Sequence, residues 1–221
     1  MNNMKDTLII LGTAHLDSTP GKRSPDGKFR EAYWSREFSN GLKPILEYYG
    51  LKVMIDWPEL DMKPGTTQSM ELAERVKIVN AEYDKGIQDV YYISSHVNAA
   101  GMGSQWMSAR GWSVFTSPGK TTSDLLAEFL YISASKNLRS YKGWGTWESK
   151  QKPIRTDPSD GDSDYESNLY VLRKTKCPAV LVENMFQDNK DDVAYLTSEI
   201  GMRELQKTYV EGIFWFLENK K

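Results

Sequence analysis

The sequence predicts an α/β fold with a mainly parallel, twisted sheet flanked by helices on both faces. Short apolar, β-branched runs alternate along the chain with longer segments whose apolar residues recur every three or four positions. Strands that alternate with helices usually pair in parallel, because each helix carries the chain back across the sheet. Hydrophobic residues make up 39% of the 221 positions, enough for a packed core. We therefore interpret residues 1–221 as a single domain without internal repeats.

Six short apolar runs are predicted to form the strands. The first of them is uninterrupted and rich in β-branched residues, as expected for a strand that is buried on both faces. The predicted strands are 7–11, 51–55, 89–95, 113–116, 169–172 and 179–182.

Five longer segments are predicted to be amphipathic helices. In the second of them, the apolar residues at 72, 76, 79 and 83 fall on one helical face. Pro44 lies inside the first segment, where proline can kink a helix, and Gly50 is placed to end it. The predicted helices are 32–49, 70–83, 121–138, 189–196 and 199–217.

The stretch 139–168 interrupts this alternation. It contains Trp144, Trp147 and the acidic run 157–164. A loop of this length inside a compact domain is usually functional or mobile, so we predict a long loop insertion here. A disordered surface insertion is the alternative that composition leaves open.

Charge and composition limit the kinds of partner. The chain has 28 Lys and Arg against 30 Asp and Glu, a net charge of -2. Nucleic-acid binding normally requires a basic face, so we expect no nucleic-acid partner. No run reaches the roughly 18 apolar residues of a membrane-spanning helix, so we expect no span. The single cysteine, Cys177, rules out an intrachain disulfide and is interpreted as a small buried hydrophobic residue.

The N-terminal apolar run, 7–11, is too short for the core of a signal peptide, and no cleavage pattern follows it. Two interpretations remain open. Either a leader has been removed, or the protein is made in a cytoplasm and released by another route.

Two histidines and two glutamates carry the candidate chemistry. His15 and His96, the only histidines, each follow a predicted strand, and Glu183 follows the strand predicted at 179–182. Glu31 stands where a loop enters the first predicted helix. Parallel strands present their carboxyl ends at one edge, which is where open α/β sheets bind ligands. We therefore expect these four side chains to converge.

Two imidazoles and one carboxylate are a common protein contribution to a catalytic zinc site, which keeps a fourth position for water. Zinc acidifies this water and polarises a carbonyl, and a second carboxylate can move the proton to a leaving amine. These four residue types thus suffice for amide hydrolysis. However, their spacing does not form a compact metal motif, and a histidine after a strand is more often structural. The residues alone leave both interpretations open.

Four sequence blocks around these residues resemble the zinc-dependent N-acetylmuramoyl-L-alanine amidases. The first is an apolar run ending in Gly12-Thr-Ala-His15, and the second is Phe29-Arg-Glu31, which opens a helix after a Gly-rich loop. The third, Ser94-Ser-His96-Val-Asn98-Ala, is close to the family's Ser-x-His-x-Asn-Ala. The fourth, at 178–192, is close to its Pro-x-x-Leu-x-Glu-x-x-Phe-x-x-Asn-x-x-Asp. The blocks follow the family's order, but Thr-Ala-His replaces its Gly-His-Gly-Gly.

This resemblance implies both an activity and a set of roles. His15, Glu31 and His96 would bind zinc, and Glu183 would be the catalytic carboxylate. The substrate would be the amide bond between N-acetylmuramic acid and L-alanine in peptidoglycan, and the fold would be phosphorylase/hydrolase-like. The enzyme would act at the cell wall, either as a phage-type lysin or as a bacterial remodelling enzyme. We expect it to be a monomer.

Three further residues are candidate substrate contacts. Arg110 could pair with a carboxylate of the stem peptide, Asn98 could orient His96 or bind substrate, and Trp112 could stack on a sugar or peptide. The alternatives are a solvated surface arginine, an asparagine that stabilises a turn, and a core tryptophan.

Three rival functions remain at this stage. A zinc carboxypeptidase could use the same residues on a different peptide bond. A non-catalytic module could bind the cell wall through aromatic loops, but binding alone needs no base such as Glu183. A structural α/β protein with two incidental histidines would bind no zinc.

Overall fold

The computed structural model describes residues 6–86, 89–141, 154–159 and 161–220. Strands and helices alternate through most of this part of the chain. The strands are β1 (Thr7–Thr13), β2 (Lys52–Ile55), β3 (Asp89–Asn98), β4 (Ser113–Thr116), β5 (Tyr165–Glu166) and β6 (Ala179–Phe186). The helices are α1 (Glu31–Tyr48), α2 (Gln68–Tyr83), α3 (Thr122–Asn137), α4 (Tyr170–Lys174), α5 (Lys190–Leu196) and α6 (Glu199–Asn219). None of these described helices has the length and apolar character needed to cross a bilayer.

The strands form one six-stranded sheet in the order β2-β1-β3-β6-β4-β5. β1 pairs in parallel with both β2 and β3, so that Leu11 lies beside Ile55 and Ile93. β6 continues the parallel set beside β3, whereas β4 runs antiparallel to β6 and pairs in parallel with β5. The prediction of a mainly parallel sheet is therefore confirmed, and the reversed edge is formed by β4 and β5.

Helices cover both faces of the sheet, as predicted. Successive side chains of β1 alternate between two apolar cores, with Ile9 and Leu11 in the larger core and Leu8 and Ile10 in the smaller one. The larger core lies against α1, α3 and α6, and the smaller core lies against α2 and α4. Because β1 is buried on both faces, its sequence is continuously apolar rather than alternating.

The prediction of a strand at 169–172 is wrong. Residues Tyr170–Lys174 form the short helix α4. Val171 and Leu172 are buried in the smaller core, which accounts for the apolar run. A short apolar run cannot by itself distinguish a buried strand from a buried helical turn. The sheet is instead completed by β5, which lies within the predicted loop insertion.

β3 and β6 extend further than the sequence suggested. β3 ends at Asn98 rather than at 95, and β6 ends at Phe186 rather than at 182. His96 and Glu183 therefore lie inside strands, and they are directly paired across β3 and β6. The register shifts between His96 and Asn98, an irregularity of the kind that often lies beside active sites.

Two smaller sequence features are confirmed. Gly50 follows the end of α1 with a φ of 93°, a left-handed value that glycine adopts without strain. Cys177 is buried in the smaller core, and burial raises the pKa of its thiol to about 12. The thiol therefore stays protonated at neutral pH.

α6 approaches α3 closely at Gly212. A β-carbon at this position would lie 2.8 Å from Cδ2 of Leu130 and 2.9 Å from its Cα. We predict that Gly212→Ala lowers the free energy of unfolding by about 1–3 kcal/mol, because the two helices must separate. This cost outweighs the gain of about 1 kcal/mol that alanine usually brings inside a helix.

Urea denaturation of Gly212→Ala measures this effect. Gly41→Ala in α1 is the matched control, since its β-carbon would meet only the amide end of the flexible Gln206 side chain. We expect the control to keep its stability or to gain up to about 1 kcal/mol, because Gly41 lies inside α1. A Gly212 variant as stable as the parent protein would show that the helices can adjust without cost.

Candidate active site

His15 lies in the turn that follows β1. Its backbone has a φ of 37°, a left-handed value that is uncommon for a residue other than glycine. The preceding residues are anchored by side chains: the Thr13 amide donates to Oδ1 of Asp56 (2.9 Å), and the Ala14 amide donates to Oγ of Ser35 (2.7 Å). The imidazole is thus presented at the carboxyl edge of the sheet by a strained turn that other elements hold in place.

Glu31 is the first residue of α1 and has no exposed surface. Its amide donates to the carbonyl of Lys22 (3.1 Å), which closes the loop before the helix. Its Oε1 accepts a hydrogen bond from the Val97 amide (3.0 Å) and lies 3.2 Å from Nδ1 of His96. The first turn of a helix also favours a negative charge, because its amides are unpaired and the helix dipole is positive there.

His96 completes the group from β3. Its Nε2 lies 3.1 Å from Oγ of Ser94, and its ring meets the ring of His15 edge to face with centroids 4.9 Å apart. Nε2 of His15 is 3.9 Å from Oε1 of Glu31. The structure therefore brings these two imidazoles and one carboxylate together at one point.

These three side chains form a donor set that fits a metal ion. One ligand atom from each lies within 4.8 Å of the others, and no second group of three or more such residues occurs in the described part of the chain. Nδ1 of His15 and Oε2 of Glu31 are buried without a hydrogen-bond partner among the described residues. Buried polar atoms normally have partners, so these atoms are consistent with coordination to an ion. Two nitrogen donors and one carboxylate suit zinc.

The protonation states of the cluster also suit a metal. Burial lowers the pKa of His15 to about 3, although the negative charge of Glu31 opposes this change. Burial alone would raise the pKa of Glu31, but its neighbours His15 and His96 favour the carboxylate and lower it. At neutral pH the His15 imidazole is therefore neutral and Glu31 is ionised, which are the forms that bind metal ions.

Glu183 lies on β6, directly opposite His96 on β3. Its Oε2 is buried and has no hydrogen-bond partner among the described residues. Burial raises the pKa of this carboxyl group to about 7, with a further contribution from the charge of Glu31. A carboxyl group with such a pKa can accept and donate a proton near neutral pH, as general acid–base catalysis requires.

A family model described as N-acetylmuramoyl-L-alanine amidase matches residues 9–214, and the match includes all four of these side chains. The chain belongs to this amidase family. Membership is shown by a match over nearly the whole chain rather than by any single motif.

Individual relatives agree with this assignment. The endolysin of Bacillus phage SPP1 is 44% identical over 55 residues, which is 25% of this chain and 20% of the endolysin. The CwlD amidase from Clostridioides difficile, in complex with the GerS lipoprotein, has a TM-score of 0.72 at 19% identity, over 96% of this chain and 98% of that one. An N-acetylmuramoyl-L-alanine amidase from Clostridium difficile 630 has a TM-score of 0.74 at 17% identity, over 97% and 98%. At these identities the two structures establish a shared fold.

Lys22 is a residue near the site that the sequence analysis missed. Its carbonyl accepts the Glu31 amide, and its positive charge makes a small contribution that lowers the pKa values of His15, Glu31 and Glu183. The Gly-rich loop at 20–27 was visible in the sequence, but nothing in it indicated that the loop folds back onto Glu31.

A buried polar network holds the backbone of His96 and its neighbour Ser95. Nδ2 of Asn184 donates to the His96 carbonyl (3.2 Å) and to the Tyr209 hydroxyl (2.9 Å). Oγ of Ser95 donates to the same hydroxyl (3.1 Å), and Oγ of Ser35 donates to the Ser95 carbonyl (2.9 Å). These bonds tie β3, β6, α1 and α6 together around one ligand position.

The three tentative substrate contacts have different surroundings. Trp112 is fully buried in the larger core, so its interpretation as a substrate contact is corrected: the ring has no surface to offer. The side chain of Arg110 is largely buried, and its Nη1 lies 3.6 Å from Oδ2 of Asp191. Oδ1 of Asn98 accepts from the Ala99 amide (2.8 Å), which is the turn-stabilising bond that the sequence left as an alternative.

The predicted loop insertion is described in part. Trp144 and Trp147 lie outside the described residues. Ile154 is buried and forms a β-bridge with Trp112, and the Arg155 amide donates to the Trp112 carbonyl (2.7 Å). The end of the insertion that the structure describes is therefore attached to the core.

We predict that His15 lowers the stability of the metal-free protein on acidification below the pKa of a free histidine, against an opposite contribution from Glu183, whose pKa is raised by folding. Folding lowers the pKa of His15 from 6.5 to about 3, so between these values the unfolded chain binds more protons than the folded one. This contribution to stability is complete above the unfolded pKa and falls by up to about 1.4 kcal/mol per pH unit as the pH decreases.

Urea denaturation in the presence of a chelator, from neutral pH down to about pH 4, measures this slope. His15→Gln is the control, because it removes the titrating group while keeping a polar side chain. On acidification, this variant should lose less stability than the parent protein, or gain stability, because only the opposite contribution of Glu183 remains. Identical slopes would mean that His15 does not titrate abnormally in the folded protein.

Proposed function

We propose that this protein is a zinc-dependent enzyme that hydrolyses the amide bond between N-acetylmuramic acid and L-alanine in peptidoglycan. The observation that carries the proposal is the placement of Glu183 opposite His96, beside three buried metal-type ligands that lie within 4.8 Å of one another. Membership of the amidase family supports the identity of the bond that is cut.

His15, Glu31 and His96 would hold the ion. When bound, zinc supplies Lewis acidity, which polarises a substrate carbonyl and acidifies a water molecule. The chain prepares this site in advance, because the Val97 amide fixes Glu31 and the paired strands fix His96. Ligands held rigidly in this way lose little entropy on binding the ion.

Glu183 would move the proton. It would take a proton from the attacking water as the new C–O bond forms, and return it to the amide nitrogen as the C–N bond breaks. The products would be a lactyl carboxylate on the sugar and a free amino group on L-alanine. His96 and, to a smaller extent, Lys22 lower the pKa of Glu183 against the effect of burial, and so keep part of this carboxyl group in the basic form.

Peptidoglycan is the partner that this chemistry requires. The local similarity to a phage endolysin supports a lytic role at the cell wall. All four proposed site residues come from one chain, so the proposed chemistry requires no residue from a second copy, and a monomeric enzyme remains our prediction.

Digestion of purified peptidoglycan, followed by mass spectrometry of the soluble fragments, tests the proposal. We expect whole stem peptides with a free N-terminal alanine, and we expect chelator to prevent their release until zinc is restored. Release of single amino acids would indicate the carboxypeptidase alternative. Binding without any release would indicate the non-catalytic module.

Glu183→Gln separates catalysis from metal binding. We predict that this variant binds zinc like the parent protein but loses about 10²–10⁴-fold in turnover, the usual contribution of a general base. Glu37→Gln, an exposed position on α1, is the matched control and should keep full activity. Near-parental turnover of Glu183→Gln would exclude Glu183 as the base, and full zinc occupancy in His96→Ala would exclude His96 as a ligand.

A further inference from the structure

The turn that presents His15 has an unusual feature: its backbone carbonyls are held by buried guanidinium groups. The turn follows β1, and the left-handed φ of 37° at His15 costs conformational energy. Such a conformation persists only when the surroundings hold it. The groups that do so decide where the imidazole points.

Arg36 on α1 holds the first of these carbonyls. Its Nη1 donates to the carbonyl of Ala14 (3.0 Å) and to the carbonyl of Ala32 in its own helix (2.8 Å). Its Nε donates to the carbonyl of Glu59 (2.6 Å). Burial and the neighbouring charge of Arg75 lower the pKa of Arg36 to about 10, so the group stays charged at neutral pH.

Arg75 on α2 holds the second carbonyl, that of His15. Its Nη2 donates to the carbonyl of His15 (3.5 Å), and its Nη1 donates to Oγ1 of Thr13 (3.0 Å). Arg36 and Arg75 thus approach the turn from α1 and α2, which pack on opposite faces of the sheet. The two guanidinium groups therefore fix the consecutive carbonyls of Ala14 and His15.

The charge of Arg75 is balanced within the protein. Both carboxylate oxygens of Asp56 lie 2.8 Å from Nη1, and Oε1 of Glu71 lies 3.0 Å from Nε. The three side chains are almost completely buried, with 2%, 0% and 1% of their surface exposed. The Tyr92 hydroxyl also donates to Asp56 (2.9 Å). A guanidinium held on so many sides cannot move away from the turn without leaving buried charges unpaired.

We propose that Arg75 and Arg36 are positioning residues for the metal ligand His15. They contact neither the ion nor the substrate. They hold the strained turn through the carbonyls of His15 and Ala14, so that the imidazole faces Glu31 and His96. The inference rests on the proposed zinc site and assigns the orientation of one ligand to a network beneath it.

Arg75→Lys tests the inference while preserving the charge. A lysine ammonium can still pair with Asp56, but it lacks the planar fork that reaches Thr13 and His15 together. We expect its zinc dissociation constant to rise by about 10–100-fold, the usual effect of removing a group that orients a metal ligand. Arg36→Lys should also raise the zinc dissociation constant. Arg36 donates only to backbone carbonyls, so its replacement leaves no carboxylate without a partner, and this variant keeps the inference testable if Arg75→Lys does not fold.

Glu71→Gln and Tyr92→Phe are the matched controls. Glu71→Gln removes a negative charge from the same buried network and Tyr92→Phe removes one hydrogen bond, but neither removes a bond from the turn itself. Zinc affinity is measured by competition with a chelator, at a temperature where thermal melts show every variant to be folded. The controls should lose stability and keep parental zinc affinity.

Three outcomes would overturn the inference, and only the last of them would also overturn the proposed function. If the parent protein binds zinc and Arg75→Lys binds it equally tightly, the arginines do not position His15, and the proposed function stands. The same conclusion follows if the controls weaken zinc as much as Arg75→Lys does. If the parent protein binds no zinc at all, the proposed function fails and the inference fails with it.

Discussion

The buried carboxylate of Glu31 is the interaction on which the rest of the site depends. It joins three parts of the chain: its amide closes the loop at Lys22, its Oε1 receives the Val97 amide of β3, and both histidine rings lie against it. A carboxylate without exposed surface is costly unless positive partners surround it. The start of α1 and the Val97 amide supply part of that compensation, and a bound cation would supply the remainder.

The site contains two buried glutamates whose environments push them towards different protonation states. Glu31 receives a backbone amide and lies beside both imidazoles, so its pKa is lowered. Glu183 has an unpaired buried oxygen, so its pKa is raised. One residue type can therefore serve as a permanent anion in one position and as a proton carrier in another. The pairing of β3 with β6 determines which glutamate takes which part.

Sequence reasoning predicted the sheet and the clustering of the four candidate side chains, because these inferences rest on local signals. Apolar runs mark the strands, and His15, His96 and Glu183 stand near their carboxyl ends, which topology brings to one edge. The same reasoning failed where the signal was short or ambiguous. The segment 169–172 has the apolar character of a strand but forms a helical turn.

The supporting residues could not be predicted, because their roles depend on contacts distant in sequence. Arg75 lies 60 residues from His15, and Asn184 lies 88 residues from His96. In the sequence, Arg75 is an arginine on an amphipathic helix, where a solvated position is the normal expectation. Trp112 shows the opposite error, since a tryptophan in a polar, glycine-containing context belongs to the core.

The attachment of the loop insertion links its two described ends to the core of the protein. Tyr141 is buried and donates to Asp192 at one end, and Ile154 is buried beside Trp112 at the other. The connecting stretch is thus bounded on both sides by anchors that belong to the framework. A substitution at Asp192 or Trp112 would therefore disturb the packed core and the attachment of the insertion together.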